Sequence, residues 1–345
     1  MKSNFISIII LTFLTFSIYT AQTDVNSKVG TTSGNILLME VGSRAIGMGS
    51  AFVGIADDAS AMFWNPAGTS LIKEPSLQYQ FSQRYAEVQH HFFGFTFPIT
   101  DDDIFGIMVQ YLTVGEMEVT TIESPEGTGE MFDANNIVIT TNYSKQLTKR
   151  VHVGISGKYI YERIWLETAT NFAFDLGTIY NVDEMGLRIG MNILNLGTEM
   201  GISEGPHLSF YKDKPDDFPG SPSPESQLSM EKYPLPTSFS LGVSSVILGR
   251  KSIWLQSAEN ELLISASLID SFDNPFRINI GAEYSWNDII SFRSGYRFFY
   301  DTQGFSAGVG LNFNQFTNNN IQVDYVWVDY GDLGSVSVMG LEFRL

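Results

Sequence analysis

The chain has 345 residues, a formal net charge of −18 and no cysteine. This excludes a disulfide framework, thiolate ligands for zinc or an iron-sulfur cluster, and a lipid-modified cysteine, and it leaves too few clustered basic residues to hold nucleic acid. Hydrophobic residues reach 43% and aromatics 13% while charged residues are only 17%, below the roughly 25% of an ordinary soluble protein.

Residues 1–21 read as a secretory signal peptide. Lys2 precedes an uncharged apolar run from Phe5 to Tyr19, and cleavage is expected near Ala21. Beyond it no run of about 18 apolar residues occurs, so any membrane span must be made of strands. Residues 22–75 form a small-residue segment that predicts a partly helical hatch or plug. Within it "DDASAMFWNPAG" places two adjacent carboxylates, Asp57 and Asp58, before an alanine-containing turn from Ala59 to Trp64. Paired carboxylates invite acid-base or metal chemistry, but here one reads as a helix cap and the other as solvated. Pro66 biases Asn65 to an extended conformation and stops the turn. Gly47, Gly49, Ser50 and Ala51 would let the backbone lie close to a wall, against which Met62, Phe63 and Trp64 could lean.

From about residue 76 the apolar period is two, the signature of strands with one apolar and one polar face. About fourteen runs begin near Ser76, His91, Ile104, Asn135, Val151, Asn171, Met185, Ser238, Glu261, Phe276, Ile289, Gly304, Ile321 and Ser335. Most are about ten residues long, the length of a tilted membrane-crossing strand. An all-β, antiparallel transmembrane barrel over residues 76–345 is therefore expected. A soluble barrel or sandwich would satisfy the periodicity alone, but not the export signal, the strand length and the loop alternation together. With both termini periplasmic, the long connections at 114–134 and 197–236 fall on the outer side and short turns on the inner. The link from Gly249 to Asn260 is long for its side, which a short helix within it, or a strand count wrong by two, would explain. Met339, Leu341, Phe343 and Leu345 alternate to the carboxylate, as a strand that closes onto the first should.

Catalytic patterns are weak. "GISEG" at Gly201–Gly205, with His207 nearby, matches G-x-S-x-G but lacks the strand-turn-helix context. His90 and His91 should face opposite sides of a strand, and His152 reads as an interface or lumen residue. "GMGSAF" lacks the third glycine of a dinucleotide loop, and Asp101–Asp103 reads as a solvated turn. No cofactor, metal site or catalytic residue is assigned, and a non-enzymatic protein is expected. The inward face carries Lys158, Asp175, Arg188, Glu283, Arg293, Arg297, Asp324, Glu342 and Arg344, which suits a polar lumen.

The stretch "RAIGMGSAFVGIADDASAMFWNPAG", with Arg44, Gly47, Gly49, Asp57, Asp58, Asn65, Pro66 and Ala67, resembles the N-terminal signature of the PorV/PorQ family of outer-membrane barrels, relatives of the FadL-type fatty acid transporters. The C-terminal "GAEYSWNDIISFRSGYRFFYDTQGFSAGVGLNF" and "VDYVWVDYGDLGSVSVMGLEFRL" resemble that family's last strands. The resemblance implies a fourteen-stranded barrel with a hatch, integral to the outer membrane of a Gram-negative bacterium and surrounded by its lipid. It also implies a role in type IX secretion, in which PorV-like members take cargo bearing a C-terminal sorting domain from the translocon barrel to the attachment machinery. A FadL-like transporter of hydrophobic small molecules is the alternative, and would need an apolar pocket beside the hatch where mainly polar inward positions are expected. An outer-membrane hydrolase would need a Ser-His pair on the outer wall.

Overall fold

The computed structural model describes residues 29–202, 230–250, 252–314 and 320–345; the signal-peptide reading, His207 and most of the 197–236 connection fall outside these. Fourteen strands close a single antiparallel barrel. They are β1 (Ser76–Gln83), β2 (Gln89–Pro98), β3 (Asp103–Glu118), β4 (Met131–Gln146), β5 (Val151–Ile164), β6 (Glu167–Val182) and β7 (Leu187–Gly197). The second half comprises β8 (Ser238–Gly249), β9 (Asn260–Ser271), β10 (Arg277–Trp286), β11 (Ile290–Phe298), β12 (Phe305–Asn312), β13 (Asn320–Asp329) and β14 (Ser335–Arg344). β14 pairs with β1, Phe343 opposite Leu77 and Met339 opposite Phe81. That register puts the large apolar side chains of both strands outward, and a slip by one residue would turn them into the lumen.

The outer face is a continuous apolar band with aromatic contacts toward both rims. Phe97 packs on Phe105 near the end that holds the C-terminus, with ring centroids 5.5 Å apart. Tyr296 packs on Phe298 toward the far end at 4.7 Å. Such belts suit the two interfaces of a bilayer.

Strand length departs from expectation in one sector. β3, β4 and β6 run 16 residues and β5 runs 14, where roughly 9–11 cross a membrane. Pairing simply continues: Glu118 still opposes Met131, so the anticipated 114–134 loop shrinks to residues 119–130. β5 and β6 are joined by the two residues Trp165 and Leu166, Trp165 taking the left-handed conformation (φ 55°) that a tight hairpin needs. These four strands stand above the rest at the far end.

Among the described residues the link after β8 contains no helix, and the strand count stands at fourteen. Leu255–Gln256 instead adds a short parallel pair to Leu248–Gly249. Ser252 Oγ holds it by accepting from the amides of Trp254 and Leu255 at 3.1 and 3.3 Å.

The described residues before β1, 29–75, lie inside the barrel. They form two short helices, α1 (Ser43–Gly47) and α2 (Ala61–Trp64), and 3-10 turns at Asn35–Leu38 and Pro66–Leu71. A helix of one turn is unstable alone, and here burial supplies what length cannot. Val41, Met48, Phe52, Ile55, Met62, Phe63 and Trp64 pack with Phe92 and Met108 of the wall. Toward the far end Ile36 and Leu37 pack with Leu112, Val138, Ile160, Met200 and Leu235.

Candidate functional site: the hatch and its attachment to the wall

The hatch touches the wall by backbone at an interrupted ring of glycines. β2, β3, β5, β6, β7, β8, β10, β11, β12 and β14 each place a glycine inward where the hatch passes. A Cβ on Gly190 would overlap the Val53 carbonyl, one on Gly281 the Met48 carbonyl, and one on Gly154 the Pro66 carbonyl. Gly49 is doubly required, since it sits at φ +63° and a Cβ there would come 2.7 Å from the Tyr296 amide. Its own amide donates to Ser306 Oγ at 3.0 Å. Gly47 is less constrained, a Cβ meeting Val326 at 3.3 Å. The wall glycines were missed in the sequence, although their signal was present as glycine recurring on the inward parity of successive strands.

Charge joins hatch to wall on one side. Arg44, from α1, donates to both carboxylate oxygens of Glu283 on β10 at 2.8–3.1 Å and to Asp57 at 2.5 Å. Glu283 pairs in turn with Arg293 at 2.6 Å, Arg293 with Asp324 at 2.5 Å, and Asp324 accepts from Ser43 at 2.9 Å. The chain of groups therefore leaves the hatch at Arg44 and returns at Ser43. Arg188 comes within 3.6 Å of Asp57, so three guanidiniums face three carboxylates. Deeply buried charges persist only when paired in this way. The inward Lys158 and Asp175 pair with each other at 2.7 Å, Arg297 with Glu40 at 2.9 Å, and Arg344 with Glu342 at 2.7 Å.

The two opening carboxylates behave differently from the expectation of one cap and one solvated group. Asp57 is the ion-paired one. Burial alone would raise its pKa, but Arg44 and Arg188 hold it below the usual aspartate range. Asp58 does not cap the helix: α2 begins at Ala61 with Ser60 as its N-cap and no side-chain cap hydrogen bond, and Asp58 Oδ1 instead accepts from the amide and hydroxyl of Ser60 at 2.9 and 2.5 Å. Its Oδ2 is buried without a partner, and burial, with Glu342 nearby, pushes its carboxyl up to about 7. Both carboxylates border a cavity of about 230 Å³ at the terminal end, with Lys73, Glu74, Glu342 and Arg344.

Asn65 is extended (φ −160°), as its position before Pro66 requires. Its side chain accepts from the Ala67 amide at 3.2 Å and donates to the carbonyls of Val53 and Thr178 at 3.1 Å each. The carbonyl of Pro66 accepts from Asn142 at 3.2 Å. Met62, Phe63 and Trp64 are buried, and the Trp64 indole donates to the Val41 carbonyl at 2.8 Å. His152 faces the lumen, 2.7 Å from Ser70 Oγ. His90 is buried inward, and His91 on the other face lies 3.0 Å from the Tyr79 hydroxyl. Asp101 and Asp102 are exposed, whereas Asp103 begins β3 and pairs with Lys145 at 2.6 Å, departing from a purely solvated turn. Among the described residues no group of three or more His, Cys, Asp or Glu is placed to hold a metal ion.

Fold and site together define a transmembrane barrel whose lumen is filled by its own N-terminal segment. The family model for the type IX secretion system protein PorV matches residues 22–209, more than half of the chain. The chain belongs to the PorV family, and is an integral outer-membrane β-barrel. Among solved structures, the toluene transporter TbuX of Ralstonia pickettii is similar at 13% identity and TM-score 0.56, over 88% of this chain and 98% of that one. The toluene transporter TodX of Pseudomonas putida is similar at 12% and 0.56, over 88% and 97%. The monoaromatic hydrocarbon channel CymD is similar at 12% and 0.52, over 88% and 96%. At these identities the likeness is one of fold. No curated protein matches the chain.

Proposed function

We propose that this barrel is a non-enzymatic component of type IX secretion that holds secreted protein at its far end while the cargo passes from translocon to attachment machinery. In this reading residues 1–21 are removed on export, residues 22–75 are the hatch, whose Thr32 and Ser33 lie at the far end, residues 76–345 are the barrel, and the C-terminus is periplasmic. The carrying observation is the raised sector β3–β6. Its tip exposes Ile122, Met131, Ile164 and Leu166, and Phe132 packs near Trp165 with centroids 6.0 Å apart. Apolar side chains above the membrane belt, on a rigid scaffold, suit protein contact. The hatch signature serves this role by keeping the lumen filled. Affinity isolation from native outer membranes should recover the translocon and sorting-domain cargo, and deletion of the gene should abolish surface display of that cargo. Unchanged display would defeat the proposal.

Transport of hydrophobic small molecules is the second reading. It is favoured by the apolar cluster of Leu112, Val138, Ile160 and Met200 in the far half of the lumen, more apolar than the inward positions suggested. That cluster is occupied by the hatch's own Ile36 and Leu37. Lipid or detergent co-purifying in the lumen, together with loss of growth on fatty acids in a deletion strain, would favour this reading over the first.

A further inference from the structure

The hatch has two footings on the wall. α1 packs on β11–β14, and the turn Pro66–Leu71 packs on β3–β6. Between them lies β1, whose inward residues are all polar: Ser76, Gln78, Gln80 and Ser82. Among the described residues none of these four hydrogen-bonds to the hatch. Gln80 has neither amide atom paired, and Gln78 Oε1 and Ser82 Oγ are likewise buried without partners. The condition extends to the adjoining strands, at Thr96 of β2 and Gln110 of β3, where the Gln110 amide lies beside the His90 ring without meeting it in hydrogen-bond geometry. Elsewhere many inward polar groups are paired.

The column has two ends. At the terminal end Ser76 donates to Glu342 at 3.2 Å, and Glu342 borders the cavity that holds Asp58. At the far end Arg84 donates to the Tyr330 hydroxyl at 2.9 Å, its Nε unpaired. Midway, the inward Phe92 stands directly between Gln80 and Gln110 in register, fully buried.

We propose that the inner face of β1, with its neighbours on β2 and β3, is a closed hydrophilic path for water and small uncharged hydrogen-bonding solutes, and that Phe92 is its constriction. Buried amides and hydroxyls without partners are satisfied when water or a solute hydroxyl reaches them. Between Glu342 and Arg84 the lining bears no fixed charge, so an ion would lose its hydration without compensation, whereas a polyol or urea would exchange one set of hydrogen bonds for another. This path is independent of cargo binding, and either can fail without the other.

The test uses the full chain in liposomes, read by osmotic swelling in glycerol. Phe92→Ala should swell several-fold faster than the unaltered protein, whereas Val326→Ala, which removes a buried side chain beneath α1, should not. Labelling Gln80→Cys with a water-soluble thiol reagent should reverse the gain, and the chain has no other cysteine to confuse the result. The proposal fails if Phe92→Ala matches the unaltered chain, if Val326→Ala matches Phe92→Ala, or if labelling leaves the gain intact. Should Phe92→Ala not fold, Gln80→Cys alone decides. Labelling in the folded barrel, well above that of Ile160→Cys, supports the path, and equal protection of the two overturns it.

Discussion

The two sides of the lumen wall treat polar residues in opposite ways. Along β10–β13 every buried charge that faces α1 is paired, and the pairs run in series from Arg44 to Asp324 and back to Ser43. Along β1–β3 the buried groups are neutral and several lack partners. The first arrangement fixes the hatch because removing any member strands a charge. Among the described residues the second makes no hydrogen bond to the hatch from β1. The hatch is therefore held by ion pairs at β10–β13 and by the neutral hydrogen bonds of Asn65, Pro66 and Ser70 at β4–β6, and only enclosed where β1 passes between these footings.

Four experiments would break or sharpen that contrast. The largest effect is expected for Arg44→Met, which leaves Asp57 and Glu283 without their shared cation; breaking a buried pair typically costs about 3–5 kcal/mol. Thermal unfolding in detergent should fall accordingly, and limited proteolysis should cut the N-terminal segment first. If the hatch stays protected, the ionic flank is not what holds it. Gly281→Val should cost about 1–3 kcal/mol by overpacking, since its Cβ would overlap the Met48 carbonyl, and should likewise expose the hatch to protease.

On the other flank the effect should be small. Replacing Gln80 and Gln110 together by Met, of similar volume, strands no charge and removes no bond to the hatch, so stability should change by less than about 1 kcal/mol. A loss on denaturant melting as large as that of Arg44→Met would mean that those amides help hold the hatch. The last effect concerns pH. Because burial raises the Asp58 carboxyl to about 7, the fold favours its neutral form, so stability should decline as pH rises from about 4 to 7, by at most about 1.4 kcal/mol per unit. Asp58→Asn keeps an acceptor for Ser60 and should flatten that decline, which melting at pH 5 and pH 8 would detect.

Much of the barrel was legible in the chain because side-chain parity is a local property. Ser76, Gln78, Gln80 and Ser82 declare themselves inward by alternating with Leu77, Tyr79 and Phe81. The hatch segment was legible by its small residues and by Asn65-Pro66. The reading of Asp57 and Asp58 as one cap and one solvated group missed the ion pairing of Asp57, because its partners, Arg188 and Arg44, are brought to it by the barrel and not by any spacing along the chain. The height of β3–β6 was also missed, since polar residues past the apolar band look like loop until the partner strand continues to pair with them.

The sequence by itself determined the strand number, the face each residue takes and the presence of a small-residue segment ahead of the strands, because a period of two and turn chemistry act over a few residues. Only the tertiary structure decided which flank of the wall binds that segment. Arg44 and Glu283 lie 239 residues apart, and closure of β14 onto β1 is what brings the two halves of the wall around the hatch. Pairing of that range is fixed by the curvature of the closed sheet, which no local pattern encodes.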